Sequence, residues 1–583
     1  MNTTKKCALV LDGHSRAAVE TLQALGSHGV EVDIAAEREC IAFRSRYARQ
    51  RLTQPPAHAP QLLADWLAKQ DALWNYSLIV ASTEFSLQAF RLLCDGNPLR
   101  AKAVLPGNES LNTALDKQKT CELAARLGIA VPRTVLIEPG AKLPPVERYP
   151  VVLKPIQGMQ ATPESVVTLA PAIVKNESDR AAALERWLAF LPVQQQEYIS
   201  GRGMGIEFLF HRGRRVWHFA HERIHEYPLT GGGSTYRRSI QPDPALLAEA
   251  ERLLAALHWH GVAMVEFKMA RNGSAYLLEI NPRFWGSLAL SIDAGVNFPV
   301  GLWQIANAEP VAPQSEYRTN YYTRDLANDV QWQSENLRAN HPDALLLTRP
   351  RARSLAEYAR PLLGKESWDH FDWSDLQVTS AILGTIGRRY FKSLQVNVRV
   401  RLAESRSVSM HRRAMRKLAK RTSPVRSLLF LCFGNICRSP LAERLAKQVL
   451  TNLDVESAGL HAQEGRPSPK NIICAANRMG IDLVDSGSRC VTKEQVQRAD
   501  LIFVMDAKNH SDLVAEYPEA ADRTLLLGLF LDRPAVNIAD PYRASDEKTW
   551  EVVTQIRSAI HGMARQLHQG AAKESQARHA ASA

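Results

Sequence analysis

The sequence predicts an α/β protein of several domains, because of its length and two strand–helix patterns that lie far apart. Its 583 residues exceed what one hydrophobic core serves, since a domain holds roughly 150 residues. Residues 7–12 (CALVLD) are predicted to form a strand, followed by a helical pattern to about His28 and a second strand at 30–35. Another apolar strand at 427–433 (SLLFLCF) precedes a second helical pattern. Such alternation is typical of α/β domains.

Composition excludes several classes of protein. Hydrophobic residues make up 45% of the chain and charged residues 23%, which excludes wholesale disorder. No run of 18 or more apolar residues occurs, so no membrane-spanning helix is expected. The first ten residues lack a signal-peptide pattern, so a cytoplasmic location is expected. The cysteines contain no CxxC pair and are too scattered for a disulfide framework or a structural zinc site.

The positive charge is concentrated in one segment, residues 388–426, which we call the basic connector. It holds thirteen Lys or Arg and one acid, Glu404, so it accounts for the net charge of +12. The rest of the chain is balanced, and no nucleic-acid partner is expected. The helical pattern at 410–421 is interpreted as a solvated interdomain helix. Weak contact with an anionic membrane surface or with acidic partners is the alternative.

The remaining elements are predicted from local patterns. The opening unit is Rossmann-like, but the GxGxxG fingerprint is absent after its first strand, so NAD binding is not expected. A helix is predicted from Asp116 to Leu127, ended by Gly128. Asn272-Gly273 separates two apolar runs, a strong signal for a β-hairpin. Further strands are predicted at 77–81, near 134, at 149–154, within 197–210, at 262–269 and at 275–281.

The predicted hairpin carries a candidate metal site. Side chains alternate along a strand, so Glu279 and Asn281 share a face, and Glu266 on the paired strand can meet them. Two carboxylates and an amide oxygen suit Mg²⁺ that carries the phosphates of a nucleotide. Arg283 would lie beside the phosphates.

Two lysines are candidates to neutralise phosphate charge. Lys117 opens the helix after the loop PGNESLN, and Lys154 ends an apolar strand. Phosphoryl transfer needs such cations. The segment Gly231-Gly232-Gly233-Ser234, with Arg237 and Arg238, is interpreted either as a mobile loop near phosphate or as a linker without function. His221, His225, His258 and His260 are interpreted as structural.

Together and in this order, these features resemble the ATP-grasp superfamily over residues 1–310. The resemblance implies a Rossmann-like pre-ATP-grasp domain and an ATP-grasp α+β fold. It further implies that the segment QEYI, with Glu197 and Ile199, is the adenine hinge and that Glu207 binds ribose. The implied reaction is ATP- and Mg²⁺-dependent activation of a carboxylate as an acyl phosphate, followed by attack of an amine.

The second strand–helix pattern carries the sequence CFGNICRSP at 432–440. A strand, a tight loop with Gly434 and a helix N-terminus together aim backbone N–H groups at one anion. That positive field favours a thiolate at Cys432, a candidate nucleophile. Arg438 supplies a planar fork for two phosphate oxygens, and Ser439 can hydrogen-bond the sulfur. Asp540, in Asp540-Pro541-Tyr542, is the candidate acid for the leaving oxygen.

This region resembles a low molecular weight protein tyrosine phosphatase over about 425–566. Further matching segments are Ser457-Ala458-Gly459, GIDL, Ser488-Arg489, ADLIFVMD and DPY, in the order of the family. The resemblance implies a doubly wound parallel-sheet phosphatase domain that needs no cofactor. It implies that Cys432 is the nucleophile, Arg438 binds phosphate, Asp540 is the general acid, and Asn435 and Ser439 hold the loop.

Some interpretations of this region stay open. Cys437 matches the second cysteine of the family, and it is either a reversible disulfide partner of Cys432 or a small buried side chain. Arg543-Ala544 replaces a glycine that often follows DPY, which bears on leaving-group preference. Arsenate reductases share this loop, so arsenate is an alternative substrate.

The predicted organisation has five parts. They are a Rossmann-like pre-ATP-grasp domain at 1–105, an ATP-grasp domain at 106–310, an accessory segment with the basic connector at 311–424, a phosphatase domain at 425–566 and a disordered tail at 567–583. The leading hypothesis is a bifunctional enzyme that acts on small-molecule carboxylates and amines and on phosphotyrosine proteins or phosphomonoesters. The alternatives make the N-terminal half a kinase or a nucleotide-binding module that regulates the phosphatase.

Overall fold

The computed structural model describes residues 6–581 except 57, 158, 162–165, 190, 315, 340–342, 344, 543 and 545. The chain divides into two compact units, residues 1–387 and 388–583. Among the described residues, the helices are all too short or too polar to span a bilayer.

The first unit opens with a parallel sheet of order β3-β2-β1-β4. Ser15 starts the first helix by accepting a hydrogen bond from the Ala18 N–H, as an N-cap serine does. This confirms the predicted Rossmann-like opening. Its elements are β1 (Cys7–Val10), α1 (Arg16–Ser27), β2 (Glu31–Ala36), a 3-10 helix (Ile41–Arg44), β3 (Ala48–Thr53), α2 (Pro60–Trp74), β4 (Leu78–Val80), α3 (Glu84–Arg91), α4 (Pro98–Ala101), α5 (Asn108–Leu115) and α6 (Lys117–Arg126).

Two mostly antiparallel sheets follow in the same unit, as an α+β fold requires. The smaller has the order β5-β10-β6-β9, next to a hairpin of β7 and β8. Its elements are β5 (Thr134–Ile137), β6 (Val151–Pro155), β7 (Met159–Ala161), β8 (Val166–Thr168), β9 (Ala172–Val174), α7 (Glu177–Trp187) and β10 (Val193–Glu197).

The larger sheet has seven strands in the order β15-β14-β11-β12-β13-β16-β17. The predicted hairpin is its β14–β15 pair. Its elements are β11 (Gly201–His211), β12 (Arg214–Tyr227), β13 (Gly233–Ser239), α8 (Pro244–Ala256), β14 (Gly261–Ala270), β15 (Ala275–Asn281), α9 (Leu288–Ala294), α10 (Phe298–Ala306), β16 (Tyr322–Arg324), α11 (Leu326–Arg338), α12 (Arg351–Ala356), a 3-10 helix (Glu357–Leu363) and β17 (Glu366–Trp368).

Strands β16 and β17 extend this sheet from within the segment 311–424, for which no strand is predicted from the sequence. Arg324 is fully buried between the carboxylates of Asp329 and Glu366, at 2.7 Å from the latter. Its guanidinium carbon lies 3.8 Å from the ring centre of Tyr236. A strand whose buried face is charged gives no apolar alternation, so the pattern did not reveal it.

The second unit contains a parallel sheet of order β19-β18-β20-β21 with helices around it. This confirms the predicted doubly wound parallel sheet. Its elements are the end of α13 (Leu376–Leu418), β18 (Ser427–Cys432), α14 (Arg438–Val449), β19 (Asp454–Gly459), α15 (Lys470–Asn477), α16 (Lys493–Arg498), β20 (Leu501–Val504), α17 (Ala507–Glu516), 3-10 helices at Pro518–Arg523 and Leu527–Phe530, β21 (Thr524–Leu526) and α18 (Asp546–Ala581).

Helix α18 continues to Ala581, across most of the segment 567–583 that the sequence predicts to be a disordered tail. The tail is rich in Ala, which favours helix more than any other residue. The same composition led to the prediction of disorder, because it offers few apolar side chains for a core.

The C-terminal part of α13, in the basic connector, packs against the sheet of the second unit. Ala414 is buried in the core of the second unit, and Met415 and Leu418 pack against that core. The Leu526 N–H donates to His411 Nδ1 at 3.1 Å. These apolar side chains are therefore used within the second unit, which differs from the prediction of a solvated interdomain helix.

Acid is expected to loosen this packing. Burial lowers the pKa of His411 to about 4, and the nearby charge of His510 contributes to this shift. Burial also lowers the pKa of His510, a buried residue of α17, to about 4. The unfolded chain takes up these protons below about 6.5, so stability is full above that pH and is lost as pH falls toward 4. We expect a loss on the order of 3 kcal/mol per histidine.

Hydrogen exchange of the intact chain at pH 7 and pH 4.5 measures this loss. Peptides from α13 and β21 should exchange faster at the lower pH after correction for intrinsic rates. His411→Gln should flatten the response, whereas His561→Gln, at an exposed site, should not. An unchanged response in both variants would contradict the assignment.

Candidate functional site

The loop between β18 and α14 lies at the carboxyl end of β18, one of the two inner strands in the sheet of the second unit. It holds Cys432 at the end of the strand and Arg438 at the start of the helix. Cys432 is 3% exposed. Its sulfur lies 3.0 Å from Ser439 Oγ and accepts a hydrogen bond from the Asn435 N–H at 3.2 Å. The structure thus brings the predicted thiol and hydroxyl together.

A buried polar network fixes the loop around Asn435. This residue has φ of 50°, a left-handed conformation that asparagine tolerates better than most residues. Its Nδ2 donates to Ser439 Oγ at 2.9 Å and to Ser457 Oγ at 3.0 Å. The Arg489 N–H donates to its Oδ1 at 2.9 Å. The amide therefore joins three separate segments behind the loop.

The contacts of Gly459 explain why the segment Ser457-Ala458-Gly459 ends in a glycine. A Cβ at this position would lie 2.9 Å from the Asn435 nitrogen and 3.0 Å from the Gly434 carbonyl carbon. Real Cβ atoms do not approach backbone so closely, so the loop can rest on β19 only where a glycine stands. Ser457, in the same segment, donates to Glu443 Oε2 at 2.6 Å.

Arg438 connects the loop to the two acidic segments of the site. It is 3% exposed, donating to Asp506 Oδ2 at 2.7 Å, to the Ile538 carbonyl at 2.9 Å and to Asp540 Oδ2 at 3.2 Å. Burial would lower its pKa, but Cys432 and these acids raise it, so the guanidinium stays charged. Its Nε is buried without a partner among the described residues. This donor remains available for an oxyanion.

Cys437 is the other thiol of the loop. Burial raises the pKa of its thiol to about 12, with a further contribution from Asp540. It is therefore held as a neutral thiol. Both cysteines are free.

Two exposed aromatic side chains lie in the segments that carry the site: Phe433 directly follows Cys432, and Tyr542 lies two residues after Asp540. Phe433 is 46% exposed and Tyr542 is 38% exposed. The Phe433 ring lies 4.8 Å from the ring of His461, and Arg466 donates to Tyr542 Oη at 2.6 Å. Of the segment after DPY, Arg543 lies outside the described residues.

The hairpin of the first unit brings the three predicted metal ligands together. Glu266 and Glu279 are directly paired across β14 and β15. Asn281 Nδ2 donates to Glu266 Oε1 at 3.1 Å and lies 3.4 Å from Glu279 Oε1. No group of three or more His, Cys, Asp or Glu side chains arranged to hold a metal occurs in the described part of the chain, and this set has two carboxylates and an amide.

Two lysines, one buried and one half-buried, lie near these carboxylates. Lys117 Nζ lies 3.8 Å from Glu279 Oε2, and Lys154 is 9% exposed. Burial would raise the pKa of Glu279, but these two lysines hold it below its usual value. Burial lowers the pKa of Lys154, against the opposing field of Glu279. A nucleotide phosphate at this place would lie near the two lysines and near the carboxylates of the hairpin.

Arg223 belongs to this cluster although the sequence reasoning passed over it. Its guanidinium lies 2.6 Å from Glu266 Oε2. Burial raises the pKa of Glu266, and Arg223 opposes that rise. The signal was the alternation of His221 and Arg223 along β12, which places these two side chains on one face, before a bulge that separates Arg223 from His225.

Three predicted nucleotide-binding residues have protein partners. Glu197 accepts hydrogen bonds from Arg133, from its N–H at 2.9 Å and its Nε at 3.0 Å. Glu207 is fully buried, bonded to His221 Nδ1 at 2.5 Å, which differs from an acid open to ribose. Arg283 lies 3.5 Å from Glu84 Oε1.

Ile199 is half-buried between β10 and β11, where the hinge is predicted. The glycine segment 231–233 leads directly into β13. Arg237 is fully buried in an ion pair with Asp369, so it is not a free phosphate ligand. His225 lies between Asp329 at 2.8 Å and Glu357 at 3.0 Å, as a structural histidine does.

Comparison with known proteins bears on both regions. A family model for the low molecular weight phosphotyrosine protein phosphatase matches residues 427–576, and one for ATP-grasp in the biosynthetic pathway with Ter operon matches residues 193–325. The low molecular weight protein-tyrosine-phosphatase Etp of Escherichia coli K12 is 33% identical over 141 residues, 24% of this chain and 94% of the relative.

Solved structures also resemble each unit. The tyrosine phosphatase Wzb from Escherichia coli K30, in complex with sulphate, is 33% identical over 24% of this chain and 99% of its own, with a TM-score of 0.24. An L-amino acid ligase from Bacillus licheniformis is 16% identical over 55% of this chain and 79% of its own, with a TM-score of 0.43. With the motif at 432–440 and the match to Etp, the chain belongs through its C-terminal unit to the low molecular weight protein tyrosine phosphatase family, and it carries an ATP-grasp domain in the same polypeptide.

Proposed function

We propose that the second unit hydrolyses phosphotyrosine or a similar aryl phosphomonoester by way of a cysteinyl phosphate. The observation that carries this proposal is the free Nε of Arg438, buried beside Cys432 and Asp540. A phosphate dianion would satisfy this donor together with the loop N–H groups. The exposed rings of Phe433 and Tyr542, close in the chain to Cys432 and Asp540, favour an aryl ester.

The reaction has two steps. The Cys432 thiolate attacks phosphorus, the P–O bond to the aryl group breaks, and Asp540 gives its proton to the departing oxygen. Water then attacks the cysteinyl phosphate, Asp540 takes a proton from that water, and the thiolate leaves as inorganic phosphate forms. Ser439, 3.0 Å from the sulfur, stabilises the thiolate in both steps by donating a hydrogen bond.

We further propose that the first unit uses ATP to activate a carboxylate as an acyl phosphate, which an amine then attacks. The proposal is supported by Lys117 and Lys154 opposite Glu266 and Glu279. The lysines neutralise the transferred phosphoryl group, and Arg283 binds an oxygen of the nucleotide or of the acyl phosphate. Release of ADP, phosphate and an amide completes the reaction.

The side chains of the hairpin fit a magnesium ion. Glu266 and Glu279 supply carboxylate oxygens, and Asn281 lies within hydrogen-bond distance of Glu266 and can turn its amide oxygen toward a cation. Such an ion would supply positive charge to neutralise the phosphates of a bound nucleotide. Arg223 forms an ion pair with Glu266, so the Glu266 carboxylate would be shared between this guanidinium and the ion.

ADP release by the full chain tests the ligase proposal. The chain is mixed with Mg²⁺-ATP and pools of amino acids, other carboxylates and amines. We expect ADP formation that depends on the pool, with equal amounts of free phosphate and amide. A phosphorylated end product without free phosphate would indicate a kinase instead. Tight ATP binding without turnover in any pool would favour a module that regulates the phosphatase.

A further inference from the structure

The basic connector adds an element to the phosphatase that its family model, beginning at residue 427, does not include. From Glu404 to Leu418, the side chains that face the sheet recur at spacings of three and four, which is one face of a helix. Those with contacts or burial in the second unit are Glu404, Ser407, Val408, His411, Ala414, Met415 and Leu418. We call this row of side chains the stripe. It includes a carboxylate, a hydroxyl and an imidazole, so its pattern of apolar residues is weak.

This helix covers the edge of the sheet. Strand β21 is an edge strand, and such strands leave backbone groups unpaired. His411 accepts from the Leu526 N–H on that edge, and its ring lies 5.6 Å from the ring of Phe530. At the flank of the stripe, Arg413 forms an ion pair with Asp522 at 2.9 Å.

The same helix face reaches the segment that carries the acid. Asn537 Nδ2 donates to Glu404 Oε1 at 2.7 Å, while its Oδ1 accepts from the Ala507 N–H at 2.9 Å. Both ends of this amide are therefore fixed. The next residue, Ile538, donates its N–H to Met505 and accepts from Arg438 through its carbonyl oxygen. Asp540 follows two residues later.

We infer that Glu404, the one acid of the basic connector, is a positioning residue for the acid segment 537–540 of the phosphatase. It fixes Asn537 from the helix side, while Met505, Ala507 and Arg438 fix the segment from the catalytic side. Glu404 touches no reacting group. It acts by narrowing the positions from which Asp540 can reach the leaving oxygen. The inference rests on the acid role of Asp540 in the proposed function.

Leaving-group dependence tests this inference in the full chain. Phenyl phosphate needs a proton on its departing oxygen, whereas p-nitrophenolate leaves without one. We expect Glu404→Ala to lower kcat/KM about fivefold for phenyl phosphate and less than about twofold for p-nitrophenyl phosphate, the loss of one ordinary hydrogen bond. Glu404→Gln keeps an oxygen that accepts from Asn537, and it should restore the rate. Inhibition by inorganic phosphate should not change.

Two controls separate the possible results. Glu519→Ala removes an exposed carboxylate elsewhere in the second unit and should change neither rate. Asp540→Asn should show the same leaving-group preference as Glu404→Ala, but more strongly. An equal loss for both esters in Glu404→Ala, or no loss, would overturn the role of Glu404 while Asp540→Asn upholds the acid. If Asp540→Asn showed no preference, the acid assignment itself would fall, and the inference with it.

Discussion

Replacing Cys432 with serine is expected to lower the phosphatase rate by about 10⁴-fold or more, the scale seen when a covalent nucleophile is removed. The serine hydroxyl lies in the same anion cradle but is not ionised there, so it cannot attack phosphorus at a comparable rate. Because Arg438 and the loop N–H groups remain, inorganic phosphate should still bind and inhibit. The rate of hydrolysis of p-nitrophenyl phosphate measures the change.

The matched control is Cys474→Ser, which alters an exposed thiol of the same unit. It should hydrolyse the ester at the rate of the unmodified chain. Retention of full activity in Cys432→Ser would rule out the cysteine-dependent mechanism.

Replacing Glu279 with alanine is expected to lower ATP turnover by the first unit at least about 100-fold. The change removes a carboxylate predicted to hold the metal, and altering groups only one contact away from a metal already costs 10- to 100-fold. It also leaves Lys117 and Lys154 without their counter-charge, so the field at the phosphates becomes unbalanced. ADP formation under saturating Mg²⁺-ATP measures the loss.

Glu185→Ala provides the control, since it removes an exposed carboxylate on α7 of the same unit. It should leave turnover unchanged. Equal turnover in Glu279→Ala and the unmodified chain would contradict the placement of the nucleotide at this hairpin.

Sites built from contiguous sequence could be predicted. The loop from Cys432 to Ser439 contains nucleophile, cradle and cation within eight residues, so the strand and helix on either side are enough to place them. The pair Glu266 and Glu279 lies on one short hairpin, so its proximity could be predicted, but a bulge between Glu266 and Phe267 shifts the register by one residue and brings the two directly opposite each other.

Partners that arrive from distant segments could not be predicted. Arg223 reaches Glu266 from β12, and Asp506 reaches Arg438 from the end of β20, 68 residues away. No local sequence pattern indicates that residues so far apart in the chain lie in contact. The resemblance to the ATP-grasp superfamily implies that Glu207 binds ribose, whereas its burial against His221 depends on which face of β11 is covered, and the neighbouring sequence does not show this.

The basic connector shows a further limit. Its packed face uses Ala414, which is small enough for close approach, and His411, which satisfies a backbone donor. Neither residue is strongly hydrophobic, so the hydrophobic pattern predicts a solvated helix. Strands β16 and β17 escaped prediction for the related reason that ion pairs, rather than apolar contacts, fill their buried face.

The central claim is that one chain carries two catalytic sites with separate machinery. The most direct measurement assays both reactions in the full-length Cys432→Ser and Glu279→Ala variants, side by side. We predict that Cys432→Ser loses ester hydrolysis and keeps ATP turnover, and that Glu279→Ala shows the reverse. Loss of both activities in either variant, or ATP turnover that survives Glu279→Ala, would contradict the claim.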